Sequence, residues 1–366
     1  MFKFCISLLL AVVACVASAD QFEVDQLYAR VKKGEATEAQ LDKACAQKDC
    51  VASRLYWYTD FEEAKRAAEQ TGRPIVALHL LGRLDEELSC ANSRFFRTTL
   101  YSDESVASLL RDDFILYWHS VRPVPRITIE FGDGRKIQQT ITGNSAHYLL
   151  SPDGAVLDAL PGLYSPAEFR EQLVRWSRLH HVTDLRGYHA QRIEELKLRW
   201  ARLSARSGVR AQSLRVPGAM TAEAATAITA SKALVDRPLL ASMQFAATLR
   251  SLAPSDWTRV AAYEAGNVQF SVAALQLIQR KQFGGAEPKA GEMEALLMNL
   301  RNSVAADTIF NECELHAAIH GWFARGEVTD LASLNTRVYD ELFLTPESDP
   351  WLGLKSPTIF TGIAAN

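Results

Sequence analysis

The stretch that decides the fold begins with IVALHLL at residues 75–81 and ends with FILYW at residues 114–118. Both runs are almost wholly apolar, which is typical of strands buried on both faces of a sheet. Between them lies a helical pattern, most regular from Val106 to Leu110. Strand, helix and strand in this order predict two parallel strands joined by a crossover helix.

Two hairpins and a closing helix are predicted after the second strand. The first hairpin joins residues 127–131 to 136–141 across a glycine-rich turn. The second joins residues 147–150 to 155–157 across the sequence Ser-Pro-Asp-Gly, in which the proline presets the turn. A serine-capped helix with proline at its first position then follows. These elements define an α/β domain over residues 55–182.

The regions on either side of this domain are predicted to be helical. Residues 20–54 carry apolar side chains at helical spacing and form an N-terminal helical extension. From residue 187 the strand patterns fade, and helical spacing predicts an all-α domain over 187–345, followed by an irregular tail over 346–366. The predicted helices of the all-α domain span residues 188–207, 221–236, 239–252, 256–281, 290–324 and 330–343.

The first 19 residues have the pattern of a cleaved secretory signal. Lys3 precedes a short apolar run, and a small-x-small sequence ending at Ala19 follows it. The run is shorter than the roughly 20 residues that a membrane-spanning helix needs. We therefore expect cleavage after Ala19 and a periplasmic or secreted protein. The alternative is a lipoprotein box ending at Cys15, which would leave the chain lipid-anchored.

Composition narrows the classes of partner. No later segment of the sequence is long and apolar enough to span a membrane, so no transmembrane segment is expected. Removal of Lys3 with the signal changes the formal net charge from -3 to -4. Such a chain lacks the concentrated basic surface that phosphate binding needs, so nucleic acid is not expected as a partner. The expected partner is another protein or a thiol substrate.

Four cysteines follow the predicted cleavage site: Cys45, Cys50, Cys90 and Cys313. An exported protein meets an oxidising compartment, in which disulfides persist. The proximity of Cys45 and Cys50 in sequence favours a small structural disulfide, with modest stabilisation because its loop is short. A metal-binding pair is the alternative, although no second pair of ligands lies nearby in sequence.

Cys90 opens the motif Cys-Ala-Asn-Ser at the predicted start of the helix that follows the first strand. Tyr-Ser-Asp at 101–103 comes next, and then the second half of the helical pattern. On these motifs the stretch from Phe61 to Trp176 resembles the thioredoxin superfamily, in particular a secreted thioredoxin-like branch whose active-site helix begins Cys-x-x-Cys. The resemblance implies a thioredoxin-like fold and thiol–disulfide exchange through Cys90. It says nothing of residues beyond 187.

The chain departs from that family in ways that weaken the enzyme hypothesis. Ser93 stands where the resolving cysteine belongs, and a serine cannot release a mixed disulfide. The fold normally carries a cis-proline opposite the cysteine, where this chain has Ser145 or Ala146. Cys90 could still form mixed disulfides as a monothiol protein, sense oxidants, or pair with Cys313. The alternative is a non-catalytic binding or scaffolding protein that keeps the thioredoxin-like fold.

Residues expected near Cys90 would tune its reactivity. A helix N-terminus lowers the pKa of a thiol, and Arg94 and Arg97 would add positive charge. His147 lies in the segment expected to face Cys90 and is a candidate base for it, the alternative being a histidine at a strand edge. The candidate catalytic set is therefore Cys90, Ser93 and His147, against the alternative of an inert cysteine in a repurposed fold.

A second candidate site lies in the predicted all-α domain. Glu312, His316 and His320 are spaced by four residues and would share one face of a helix. Two histidines at this spacing are a known metal-ligand arrangement, although Ala317 stands where a metalloprotease has its glutamate. The alternative is a set of histidines that form hydrogen bonds at an interdomain seam. No cofactor is expected otherwise, a divalent metal ion being the alternative.

Overall fold

The computed structural model describes residues 19–140, 143–209, 254–350 and 352. The predicted signal peptide lies outside these residues except for Ala19. The helices predicted at 221–236 and 239–252, and most of the predicted tail, also lie outside them.

The N-terminal extension is helical and has its own small core. Thr37 caps the second helix through a capping box with Gln40, which satisfies two backbone donors at its start. Cys45 and Cys50 are joined in a disulfide, the pairing that the sequence favours, and pack with Val24 and Leu41. The helices are α1 (Ala19–Lys32), α2 (Glu38–Cys45) and α3 (Cys50–Ser53).

The two apolar runs form adjacent parallel strands, as predicted. All seven residues of the first strand are buried, and the register pairs Ile75 with Ile115. The crossover between them begins with a helix over residues 91–100, whose second half is a π-helical turn. A second helix, capped by Asp103, follows it. The elements are α4 (Phe61–Thr71), β1 (Ile75–Leu81), α5 (Ala91–Phe95), the π-helical turn Phe96–Leu100, α6 (Glu104–Asp113) and β2 (Ile115–Arg122).

Both predicted hairpins are present, and only the second joins the main sheet. The first forms a separate two-stranded sheet, whereas the second pairs antiparallel with β1 and gives the strand order β2-β1-β5-β6. Ser165 caps the closing helix, with Pro166 in its first turn. The elements are β3 (Arg126–Glu130), β4 (Lys136–Thr140), β5 (Ser145–Leu150), β6 (Val156–Pro161) and α7 (Pro166–Leu179).

The C-terminal region is mainly helical and shares one hydrophobic core with the sheet. Apolar side chains from β1 and β5 belong to the same buried cluster as those of the late helices, so the two regions pack as one body. Within the described residues, every helix lacks the length or the apolarity of a membrane span. The helices are α8 (Leu185–Ser207), α9 (Pro254–Ala265), α10 (Val272–Phe283), α11 (Glu292–Phe310), α12 (Ala317–Ala324) and α13 (Leu331–Arg337), with π-helical turns at Asn311–His316 and Val338–Leu342.

The long helices predicted at 256–281 and 290–324 are each interrupted. The first is two helices: α9 ends just before Gly266, and α10 begins after Ser271, which caps it. The second changes to π-helical geometry at residues 311–316 before it continues as α12. π-Helical turns are rare and occur frequently at functional sites.

Candidate functional site

Cys90 lies where the sequence predicts, at the N-terminus of α5, and it contacts the last residue of β1. Its backbone N–H donates to the carbonyl of Leu81 at 3.3 Å, and its Sγ accepts from the N–H of Ser93 at 3.4 Å. The side chain is 0% exposed. Solvent and substrates therefore do not reach the thiol in this conformation.

The polar groups around Cys90 are engaged with one another. The Ser93 hydroxyl donates to the Ser89 hydroxyl at 2.5 Å, and Arg97 donates to the same oxygen at 3.1 Å. Arg97 is fully buried and forms an ion pair with Asp49 at 3.0 Å. Arg97, one of the two arginines that the sequence assigns to thiol activation, is thus paired with Asp49 in the N-terminal extension.

His147 is buried on β5 and contacts the phenol of Tyr101. Its Nε2 lies 2.7 Å from the Tyr101 hydroxyl, and burial lowers the pKa of His147 to about 3. Burial and then the charge of Cys90 raise the pKa of Tyr101. His147 therefore reaches the Cys90 neighbourhood through Tyr101, and its neutral Nε2 is occupied by that phenol.

The C-terminal region covers the loop beside Cys90. A Cβ added at Gly143 would lie 3.3 Å from the backbone nitrogen of Asn92, so this loop runs directly over the start of α5. Asn144 in turn donates to Thr345 at 2.9 Å and accepts from the Tyr339 hydroxyl at 3.2 Å. Within the described residues there is no cis peptide bond. The edge facing the cysteine is therefore occupied by the chain's own residues.

A second buried polar cluster centres on Asp158 of β6. One potential ligand atom from each of Asp158, His316 and His320 lies within 4.8 Å of the other two, and all three side chains are buried. Asp158 Oδ1 lies 3.1 Å from His316 Nε2 and 3.8 Å from His320 Nδ1. The structure thus brings the two sequence-predicted histidines together with a carboxylate that sequence reasoning missed.

Glu312, the third residue of the predicted metal set, lies behind His316. Its Oε2 is 2.9 Å from His316 Nδ1, and its Oε1 accepts from Arg192 at 3.1 Å and from Gln172 at 3.0 Å. Glu312 is consequently a partner of His316 and is not in the group around Asp158. His189 of α8 is a further missed member, with its Nδ1 at 2.6 Å from His320 Nδ1.

A close backbone approach brings these elements together. Gly162 follows β6 with a φ of +77°, and a Cβ there would lie 2.6 Å from Asn311 Nδ2. The absence of a side chain lets the π-helical turn approach the end of β6, where Asn311 donates to the carbonyl of Leu163 at 2.8 Å. This contact sets Asp158 opposite His316.

The protonation states of the cluster follow from its contacts. Burial opposes a charge on His316, but Asp158 and Glu312 outweigh it and raise the pKa of His316 to about 9. Burial would raise the pKa of Asp158, yet His316 and His320 outweigh it and hold that pKa well below its usual range. Burial and then the charge of His316 lower the pKa of His320. The carboxylates of Asp158 and Glu312 thus both face the His316 ring, and the protonated ring donates one hydrogen bond to each.

A cavity of about 590 Å³ opens beside this cluster, between α7, α8, α9 and α11. Its wall carries charges of both signs, and several are already paired, such as Arg199 with Glu168 at 2.6 Å. Its volume falls in the range of small-molecule sites, roughly 300–1,000 Å³. The charged lining residues are Glu168, Glu171, Arg175, Arg192, Glu195, Arg199, Arg202, Glu264 and Glu312.

Cys313 lies in the helical part of the core. Burial raises the pKa of its thiol, and the nearby charges are those of Arg199 and Glu312. The disulfide among the described residues is Cys45–Cys50, and Cys90 and Cys313 are both buried.

Comparison with protein-family models, with curated proteins and with solved structures finds no significant match to this chain.

Proposed function

We propose that this chain is an exported thioredoxin-like protein that acts by binding, with Cys90 kept as a buried structural residue. The observation that carries the proposal is the complete burial of Cys90 beneath a loop that the chain's own C-terminal region covers. Thiol–disulfide exchange requires an attacking thiolate with access to the substrate sulfur. A thiol enclosed in this way has no such access.

The thioredoxin-like assignment is supported by the order of elements and by the position of Cys90. The central strand β1 has a parallel neighbour on one side and an antiparallel hairpin on the other, and α7 closes the unit. The Cys-Ala-Asn-Ser motif begins the helix after β1, and the segment before β5 lies against that helix. The resemblance in sequence covers this same unit, from Phe61 to Trp176.

Export is supported by the N-terminal pattern and by the disulfide. The Cys45–Cys50 bond is of the kind that persists in oxidising compartments. It also shapes the loop that contains Asp49, the partner of Arg97. The disulfide in the N-terminal extension thereby helps to hold the Asp49–Arg97 ion pair near Cys90.

The site that we propose for the ligand is the cavity beside α7 and α8. Its charged wall suits a small polar ligand that carries both charges, since a buried charge needs a partner of opposite sign. A thermal-shift comparison of amino acids and short fatty acids tests this choice. Stabilisation by an amino acid is expected, and stabilisation by fatty acids alone would contradict it.

The test of the proposal is a disulfide-reduction assay on the full exported chain, with glutathione disulfide as substrate and dithiothreitol as the reductant. Wild type and Cys90→Ser are expected to give the same background rate, because the thiol does not reach the substrate. Cys313→Ser is the matched control, since it removes the other buried thiol. Turnover by wild type and Cys313→Ser that disappears in Cys90→Ser would establish thiol chemistry instead.

A further inference from the structure

The cluster around Asp158 has a buried nitrogen whose lone pair is used by no protein group within the described residues. His189 Nε2 lies 3.0 Å from the carbonyl of Leu157 and must donate to it, so a neutral His189 has a bare Nδ1. That Nδ1 accepts from His320 Nδ1–H at 2.6 Å, which leaves His320 Nε2 as a bare acceptor. His320 is 0% exposed, and in the part of the chain that the structure describes its Nε2 has no hydrogen-bond partner.

We propose that Asp158, His316 and His320 bind a divalent transition-metal ion of the Zn²⁺ type. One nitrogen of each histidine and one oxygen of Asp158 already lie within 4.8 Å of one another on three buried side chains. His320 would bind the ion through Nε2, because its Nδ1 contacts His189. Two imidazoles and one carboxylate are a donor set that suits Zn²⁺ and its neighbours, whereas Ca²⁺ and Mg²⁺ prefer oxygen alone. The proposal replaces Glu312 in the sequence-based ligand set with Asp158, and it does not depend on the thioredoxin-like proposal.

Each proposed ligand is oriented from behind by a hydrogen bond. Glu312 accepts at His316 Nδ1, His189 accepts at His320 Nδ1, and the Trp176 indole donates to Asp158 Oδ2 at 2.9 Å. Metal-binding histidines in proteins characteristically donate their second ring N–H to a carboxylate, a carbonyl or another acceptor. These contacts fix the rings and leave His316 Nε2 and Asp158 Oδ1 directed at each other.

The charge of the network also favours a divalent cation. The side chains connected to Glu312 and Asp158 by hydrogen bonds include four carboxylates and two guanidiniums. With the imidazoles neutral, this set carries a formal net charge of −2, and one of its carboxylates, Glu195, is 41% exposed and so is partly compensated by solvent. A buried charge needs compensation, and one divalent cation supplies it. The carboxylates are Asp158, Glu168, Glu195 and Glu312, and the guanidiniums are Arg192 and Arg199.

The test is a titration of the chelator-treated full chain with Co²⁺, followed by the visible ligand-field spectrum, and then displacement by Zn²⁺. The expected result is one equivalent of Co²⁺ with intense visible bands, lost when Zn²⁺ is added. Glu312→Gln, which removes the carboxylate behind His316 and with it the charge that pairs with Arg192, should weaken binding roughly 10- to 100-fold. Asp158→Asn and His320→Gln should weaken it further.

His181→Gln is the matched control, because His181 lies outside the cluster and is exposed just after the end of α7. It should bind Co²⁺ as wild type does. Absence of Co²⁺ and Zn²⁺ binding by the folded wild type would overturn the proposal, as would unchanged binding in Asp158→Asn and His320→Gln. Circular dichroism of each variant shows whether it is folded. If a variant is not folded, the number of Co²⁺ equivalents bound by the wild type tests the proposal.

Discussion

Arg122 clamps the C-terminal segment that covers the Cys90 loop, and replacing it should expose the thiol. At the end of β2, its guanidinium donates to the carbonyls of Thr345 at 2.8 Å, Pro346 at 3.2 Å and Asp349 at 3.2 Å. The Arg122→Met variant keeps the length of the aliphatic stem and removes every donor. The C-terminal segment around Thr345 should then separate from Asn144 more often.

The size of the effect follows from the lost hydrogen bonds. Bonds to a charged donor contribute roughly 1.5–3 kcal/mol, and the lower end applies because Arg122 is partly exposed. A change of about 1.4 kcal/mol in a local opening equilibrium is a tenfold change in its population. Alkylation of Cys90 in native Arg122→Met should therefore be about tenfold faster than in wild type, measured by peptide mass spectrometry.

Cys313 in the same sample reports whether the opening is local. It is buried elsewhere in the core, so its alkylation rate should stay at the wild-type value. Arg135→Met is the matched control variant, because Arg135 pairs with Asp133 in the exposed turn of the first hairpin. Equal Cys90 rates in wild type and Arg122→Met would refute the reasoning, as would equal acceleration of Cys313.

Three further predictions concern stability and use urea unfolding. Replacing Cys45 and Cys50 together by alanine should lower the free energy of unfolding by about 2 kcal/mol, given the short loop; an unchanged midpoint would show that the bond contributes nothing. Burial lowers the pKa of His79 to about 4. Between pH 6.5 and 4, His79 is therefore protonated in the unfolded chain and neutral in the folded chain. Stability should fall on acidification from 6.5 towards 4, and His79→Gln should reduce that slope by about 1.4 kcal/mol per pH unit; an unaltered slope would assign the pH dependence to other groups. Arg97→Met should cost about 3 kcal/mol because it leaves Asp49 with less compensation, and adding Asp49→Asn should recover part of the loss; strict additivity of the two changes would contradict a coupled pair.

Local patterns in the sequence predicted most of the fold. The two apolar runs became β1 and β2, and the turn sequence with Pro152 became the hairpin β5–β6, because in each case neighbouring residues decide the structure. The break between α9 and α10 was missed, although Gly266 and Ser271 mark it. The π-helical turn was also missed, since spacing by four residues describes α-helical geometry only.

In the candidate sites too, features that depend on neighbouring residues could be predicted from the sequence, and contacts between distant residues could not. The Cys45–Cys50 pair and the position of Cys90 depend on neighbours in sequence, and both could be found there. Asp158 and His316 are 158 residues apart, and their contact depends on the packing of the helical region against β6. The one signal for Asp158 was a lone charge in an otherwise apolar strand, which by itself does not name its partner.

The most direct test of the account is the rate at which a small alkylating reagent labels Cys90 in the native wild-type chain as pH is varied. Slow labelling is expected at every pH, with full labelling only after denaturant is added, because the thiol is enclosed. Rapid labelling with a midpoint well below the free-thiol pKa of about 8.5 would contradict it. That result would identify Cys90 as an activated, accessible thiolate.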